Sequence, residues 1–226
     1  MNAFTSWFQF CNYAGDAAFC SGGTLTAEKE RKPPIIGLLS GIITAFGGGA
    51  LLHDMLTLGT VPKILGSIGE IVAVAVFATL LILAFTYDKP FRAIRNRPTL
   101  AAVLKKALVA ADSLGVLAFV AIGYQRGTEI NGSVVIAIMC GFYTACGGGI
   151  LALVIRGLAE KGKLKRKYIK TNLIKNAPYY VFGLTMSLTY CVFATAKVDP
   201  NLTVAVLTPL AVGLGFLTDK EITERG

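Results

Sequence analysis

Charge is what this 226-residue sequence has least of. Asp, Glu, Lys and Arg make up 15% of it, against about 25% in ordinary soluble domains. That shortage argues against a soluble globular domain. There is one histidine, His53, so a multi-histidine metal centre cannot form. The five cysteines (Cys11, Cys20, Cys140, Cys146, Cys191) stand singly inside apolar stretches. Without a CxxC pair or a Cys/His cluster they read as small buried hydrophobes, and no metal is expected. GxSxG, HExxH, phosphate-loop and paired-carboxylate patterns are all missing, so neither an enzyme nor a cofactor is expected. No basic leader precedes the first apolar run, which Asn12 and Asp16 interrupt. That run is expected to stay as a first span.

Hydrophobic residues are what is there: 54% of the chain, with a mean hydropathy of +0.63. Seven apolar segments, near 4–24, 35–58, 64–87, 107–126, 133–156, 177–197 and 202–218, are each about long enough to cross a bilayer. The net charge of +9 could suggest nucleic acid, but the basic residues fall between the apolar segments, where they report topology. With seven spans, nineteen Lys and Arg residues lie on one side and three (Lys63, Arg126, Lys197) on the other. The positive-inside rule then places the C-terminus in the cytoplasm and the N-terminus outside, in the inner membrane if the host is prokaryotic. The basic stretches 89–97 and 161–170 fit topology and general attraction to anionic lipid, with a specific lipid site as the sharper alternative.

The chain repeats itself at an offset of 100. Gly41, Thr44, Ala45, Gly47, Gly48, Gly49 and Leu51 return as Gly141, Thr144, Ala145, Gly147, Gly148, Gly149 and Leu151. Gly15, Ala18, Phe19 and Gly23 return as Gly115, Ala118, Phe119 and Gly123. Twelve of the 39 positions from 13 to 51 are identical at this offset. The expected fold is an all-α polytopic membrane protein, a single membrane domain over 1–226. Repeat one covers 4–87, repeat two 107–197, and a seventh helix 202–218 stands alone and contains Pro209. Three spans per repeat is an odd number, so the copies are inverted, an architecture associated with solute movement across membranes.

Each helix-interior glycine costs roughly 1 kcal/mol relative to alanine. Helix packing accounts for Gly37, Gly41, Ala45 and Gly49, which share one face. It does not account for Gly47, Gly48, Gly147 and Gly148, so both triplets are expected to unwind or kink the chain beside a pathway. Thr44 and Thr144, one turn earlier, either face that pathway or bond back to their own helix. Asp16, Glu70 and Asp112 are acids in or near spans, where burial against lipid costs about 2.5–3.5 kcal/mol, so they are expected to face a cavity or a partner. Acids in a base-poor interior favour cations. For Glu70, pairing with a nearby base is an equal alternative. His53 and Asp54 have no counterpart in repeat two, which holds Leu153 and Val154 there.

The run Asp112-Ser-Leu-Gly115-Val-Leu-Ala-Phe119-Val-Ala-Ile-Gly123, the two glycine triplets and the turn Leu58-Gly59-Thr-Val-Pro62 resemble the trimeric intracellular cation (TRIC) channels in their prokaryotic form. The resemblance covers roughly 10–215. It implies a 3+3+1 helix arrangement, a homotrimer, and a potassium pore in each protomer past kinked helices 2 and 5. On that resemblance Gly47, Gly48, Gly49, Gly147, Gly148 and Gly149 are the kink residues. Thr44, Thr144 and Asp112 are pore-side, and Asp16, read from the sequence, joins them. The Arg-Asp pair that follows the triplet in many bacterial relatives is replaced here by His53-Asp54 in shifted register and by Leu153-Val154. The animal lipid-binding Lys-Glu-Val motif has no counterpart. Expected partners are therefore potassium and other monovalent cations, and membrane lipids. A secondary transporter of a small zwitterion such as glycine, and a lipid-binding scaffold, are the other readings.

Overall fold

The computed structural model describes residues 3–56, 68–86, 97–131, 133–160 and 163–224. Among these the chain forms eight helices: α1 Ala3–Lys29, α2 Pro34–Leu56, α3 Ile68–Thr86, α4 Pro98–Asn131, α5 Val134–Leu158, α6 Lys163–Lys175, α7 Ala177–Thr195 and α8 Pro200–Glu224. The turn 58–62, most of the basic stretch 89–97, and the side chains of His53, Asp54 and Glu70 lie outside the described residues.

Seven of the helices have 19 to 34 residues, or about 28 Å and more at 1.5 Å per residue, which matches the apolar thickness of a bilayer. They correspond to the seven expected spans. Pro98–Glu129, Val134–Leu158 and Pro200–Glu224 are long and apolar enough to cross a membrane by length and composition together. The 13-residue α6 was not expected as a helix. Its Lys- and Arg-rich sequence hides a helical face, on which Tyr168, Ile169 and the polar Asn172 are partly buried.

Local chemistry sets the ends. Prolines open α2, α4 and α8, where a missing N–H costs nothing. The Asp199 carboxylate accepts from the N–H groups of Asn201 (2.9 Å) and Leu202 (3.1 Å), capping α8. Arg31 and Lys197 take φ of 53° and 56° just past α1 and α7, the left-handed turn that stops a helix before a following proline. α8 runs through Pro209 and six residues beyond the expected 218.

The helix α4 is the hub. Val116, Leu117, Ala118, Val120 and Ala121 are all fully buried, so four successive faces are covered, by α1, α5, α7 and α8. The equivalent residues Gly15 and Gly115 meet backbone to backbone: a Cβ on either would strike the other's Cα. Their neighbours Phe19 and Phe119 meet edge to face at 5.1 Å. Equivalent residues can touch each other only beside a pseudo-two-fold axis.

The triplets fix the sense of that axis. A Cβ on Gly48 would strike the carbonyl oxygens of Thr144 and Tyr143, and one on Gly148 those of Thr44 and Ile43. As residue numbers rise along α2 they fall along α5, so these equivalent helices run antiparallel. The repeats are therefore inverted. The same contacts correct the reading of the glycines. Both helices are continuous α-helix through 47–49 and 147–149, with no unwound segment. Gly47, Gly48, Gly147 and Gly148 are explained by packing after all, on a face that an i, i+4 count along one helix does not reveal.

Candidate functional site

The third glycine of each triplet behaves differently from the first two. A Cβ on Gly149 meets nothing within 4 Å. It faces a half-open cavity of about 190 Å³ lined by α1, α2, α4, α5, α7 and α8. Thr44, Ala145 and Gly149 line it from α2 and α5, with Phe19 and Gly23 from α1. Asp112 is the one acid on its wall among the described residues. Asn176, Tyr179 and Tyr180 close the α7 side, and Ile222 reaches in from α8. A second cavity of about 170 Å³ adjoins it, sharing Gly22, Asp112, Tyr179 and Ile222.

Of the residues singled out in the sequence, Thr44, Asp112 and Gly149 are brought together here. Thr44 also donates to the Ser40 carbonyl at 2.6 Å, the back-bond of a membrane threonine. Asp16 is buried but lies on neither cavity wall. Gly47, Gly48, Gly147 and Gly148 form the helix crossing instead. Thr144 is 8% exposed and on neither cavity wall, and its buried hydroxyl has no hydrogen-bond partner among the described residues.

The half of the molecule around Gly49 is not a copy of the half around Gly149. Gly49, the counterpart of Gly149, has the Arg126 guanidinium 3.9 Å from its Cβ position. Arg126 stands where repeat one has Thr26, a lining residue of the Gly149 cavity. In sequence Arg126 looked like one of three outer topology charges. Only the offset to Thr26 could have singled it out.

A polar network adjoins the cavity at Arg156. Arg156, 6% exposed, lines the cavity. Its Nε lies 3.5 Å from Glu30 Oε2 and donates to the Tyr168 hydroxyl at 3.4 Å. Tyr168 donates to Glu30 at 2.5 Å, Lys32 is ion-paired with Glu160, and the Lys32 ammonium sits 5.0 Å over the Tyr168 ring. Glu30 thus balances Arg156, which leaves Asp112 to set the sign of the cavity wall. The network also docks α6 on Gly157, where a Cβ would meet Ile169.

Burial, then the bond to Glu30, pushes the Tyr168 phenol up to about 12 from 10.0. Between those values the folded protein keeps a proton that the unfolded chain has lost. The contribution of this contact is therefore complete below pH 10 and disappears as pH rises through about 12. The ultraviolet difference titration of wild type against Tyr168→Phe is expected to show a phenolate forming near 12. A difference centred near 10 would place Tyr168 in free solvent.

A family model described as Glycine transporter matches residues 9–88 and 109–158. The UPF0126 inner membrane protein YadS of Escherichia coli (strain K12) is 30% identical over 141 residues, 62% of each chain. A UPF0126 membrane protein of Vibrio cholerae serotype O1 is 28% identical over 151 residues, 67% of this chain and 58% of that one. This chain thus spans about three-fifths of the length of these curated relatives. Among solved structures, one describing conductance through TRIC cation channels has a TM-score of 0.67 at 20% identity, covering 94% of this chain and 93% of that one. A prokaryotic TRIC channel crystallised in 0.5 M KCl also reaches 0.67, at 16% identity over 96% and 97%. The TRIC orthologue from Rhodobacter sphaeroides reaches 0.59, at 19% identity over 96% and 97%. The fold is that of the TRIC channels, and the protein is integral to a membrane.

Proposed function

This chain belongs to the glycine-transporter family, and on that footing we propose that it is a passive channel for monovalent cations, potassium foremost, with one pathway inside each protomer of a homotrimer. The observation that carries this reading is the cavity beside Gly149, whose one acid among the described residues, Asp112, is left to act while Arg156 is balanced by Glu30. A negative wall in a low-dielectric surround attracts cations and repels anions. The pathway runs from the cytoplasmic side, where the basic loops and α6 lie, past Asp112, Thr44 and Gly149. It meets Arg126 in the outer half. Likeness of fold to proteins described as cation channels supports the same reading.

Planar-bilayer recording of the purified protein under a potassium chloride gradient tests it. Ohmic currents that reverse near the potassium equilibrium potential are expected, and electrically silent protein would overturn the reading. Arg126→Thr, which restores the residue type of repeat one, is expected to raise unitary conductance by clearing the outer half. An unchanged conductance would take Arg126 out of the pathway.

A second reading has an observation of its own. Asp112 and Arg156 line one cavity with opposite charges, a pairing that suits the ammonium and carboxylate of glycine. Under that reading, vesicles containing the protein exchange labelled glycine and carry no current.

A further inference from the structure

The repeats share their helix crossings, but two residues that face each other across the inner cavities break the symmetry. Asp112 stands where repeat one has Asn12, and Tyr179 where it has Thr79. Thr79 is exposed and back-bonds to the Ala75 carbonyl at 2.8 Å. Tyr179 turns inward, and its hydroxyl interacts with the Asp112 carboxyl. Both residues lie on the walls of both cavities, as Gly22 and Ile222 do, so these four line the neck where the cavities adjoin.

We propose that Tyr179 is a specificity-determining residue of the pathway: its hydroxyl shares the Asp112 carboxyl with the passing cation and so sets how tightly the neck holds that cation.

The inference rests on the channel reading above. Asp219, the other acid on the second cavity's wall, is ion-paired with Lys105 at 2.8 Å, so its charge is already met. Asp112 has a neutral hydroxyl as its partner instead. A hydroxyl donor takes up part of the carboxylate's acceptor capacity, and an arriving cation must compete with that charge-assisted bond. A bare carboxylate would hold the cation longer, and conduction needs binding weak enough to release. The Tyr179 ring is fixed edge-on between Phe182 (6.3 Å) and Tyr180 (6.4 Å). Its backbone N–H donates to Asn176 at 3.0 Å. Removing the hydroxyl therefore leaves the neck's shape in place.

Potassium conductance of the full chain in planar bilayers, measured against potassium concentration, tests this. Tyr179→Phe is expected to lower the half-saturating concentration severalfold and Asp112→Asn to raise it. In the Asp112→Asn background, Tyr179→Phe should change nothing further. Tyr179→His, which keeps a ring and a donor, should restore near wild-type saturation. It also keeps the test open if the phenylalanine variant fails to fold. Saturation unchanged in Tyr179→Phe while Asp112→Asn shifts it overturns the inference and leaves the channel standing. Additive shifts in the double variant overturn it equally. A wild-type protein without potassium current sinks the channel reading, and this inference with it.

Discussion

Gly149→Leu is expected to fold like the wild type and to lose its ion flux. The two halves of that expectation rest on separate observations. The Cβ position of Gly149 has no atom within 4 Å, so the backbone need not move to admit a side chain. Replacing a helix-interior glycine returns up to about 1 kcal/mol of helix propensity, so thermal stability should hold or rise. The space the leucine enters is the cavity of about 190 Å³ that Thr44 and Asp112 also line. Four added carbons there displace water and put an apolar plug beside Asp112. Vesicle flux of potassium should fall to the level of empty vesicles, while the melting temperature in detergent stays at or above wild type. Full flux in a folded Gly149→Leu protein would remove this cavity from the pathway.

How much of this could be read in the sequence depends on whether the signal was periodic. The duplication and the odd span count were open to view, because identity at an offset of 100 survives any packing arrangement. The inversion they imply is what the α2–α5 contacts display. The division of labour within each triplet was not legible. Three consecutive glycines point 100° apart on a helix, and nothing local says which direction meets a partner helix and which meets a void. Packing was underrated for that reason. Helix α6 was hidden because its Lys-rich run looked like a topology signal. Its docking depends on Glu30, Arg156 and Gly157, more than 100 residues apart in the case of Glu30 and Tyr168. Tyr179 and Arg126 escaped because each is unremarkable in its own span. They stand out only against Thr79 and Thr26, at positions where the repeats differ rather than agree. In a duplicated chain the shared residues mark the frame. The unshared ones that face the same cavity mark what the frame has been adapted to do.

The largest loss of stability is expected at the other glycines of the triplets. Gly48→Ala and Gly148→Ala each place a methyl against two backbone carbonyl oxygens of the opposite helix. A flexible side chain could rotate away, but a helix backbone cannot, so the cost sits at the upper end for overpacking, about 3 kcal/mol. Alanine's better helix propensity offsets roughly 1 kcal/mol of that, leaving a net loss of about 2 kcal/mol for each variant. The pseudo-two-fold axis makes a sharper demand. The two substitutions should cost the same, because Gly48 meets Thr144 and Tyr143 as Gly148 meets Thr44 and Ile43. The double variant should cost less than the sum, since α2 and α5 need to separate only once. Denaturant titration of helicity in mixed micelles measures all three. Unequal single losses would mean that the crossing is not symmetric, and a full sum would mean that the two contacts are independent. The same numbers show why leucine at Gly48 or Gly148 cannot test the pathway: flux would vanish with the fold, whereas at Gly149 it should vanish alone.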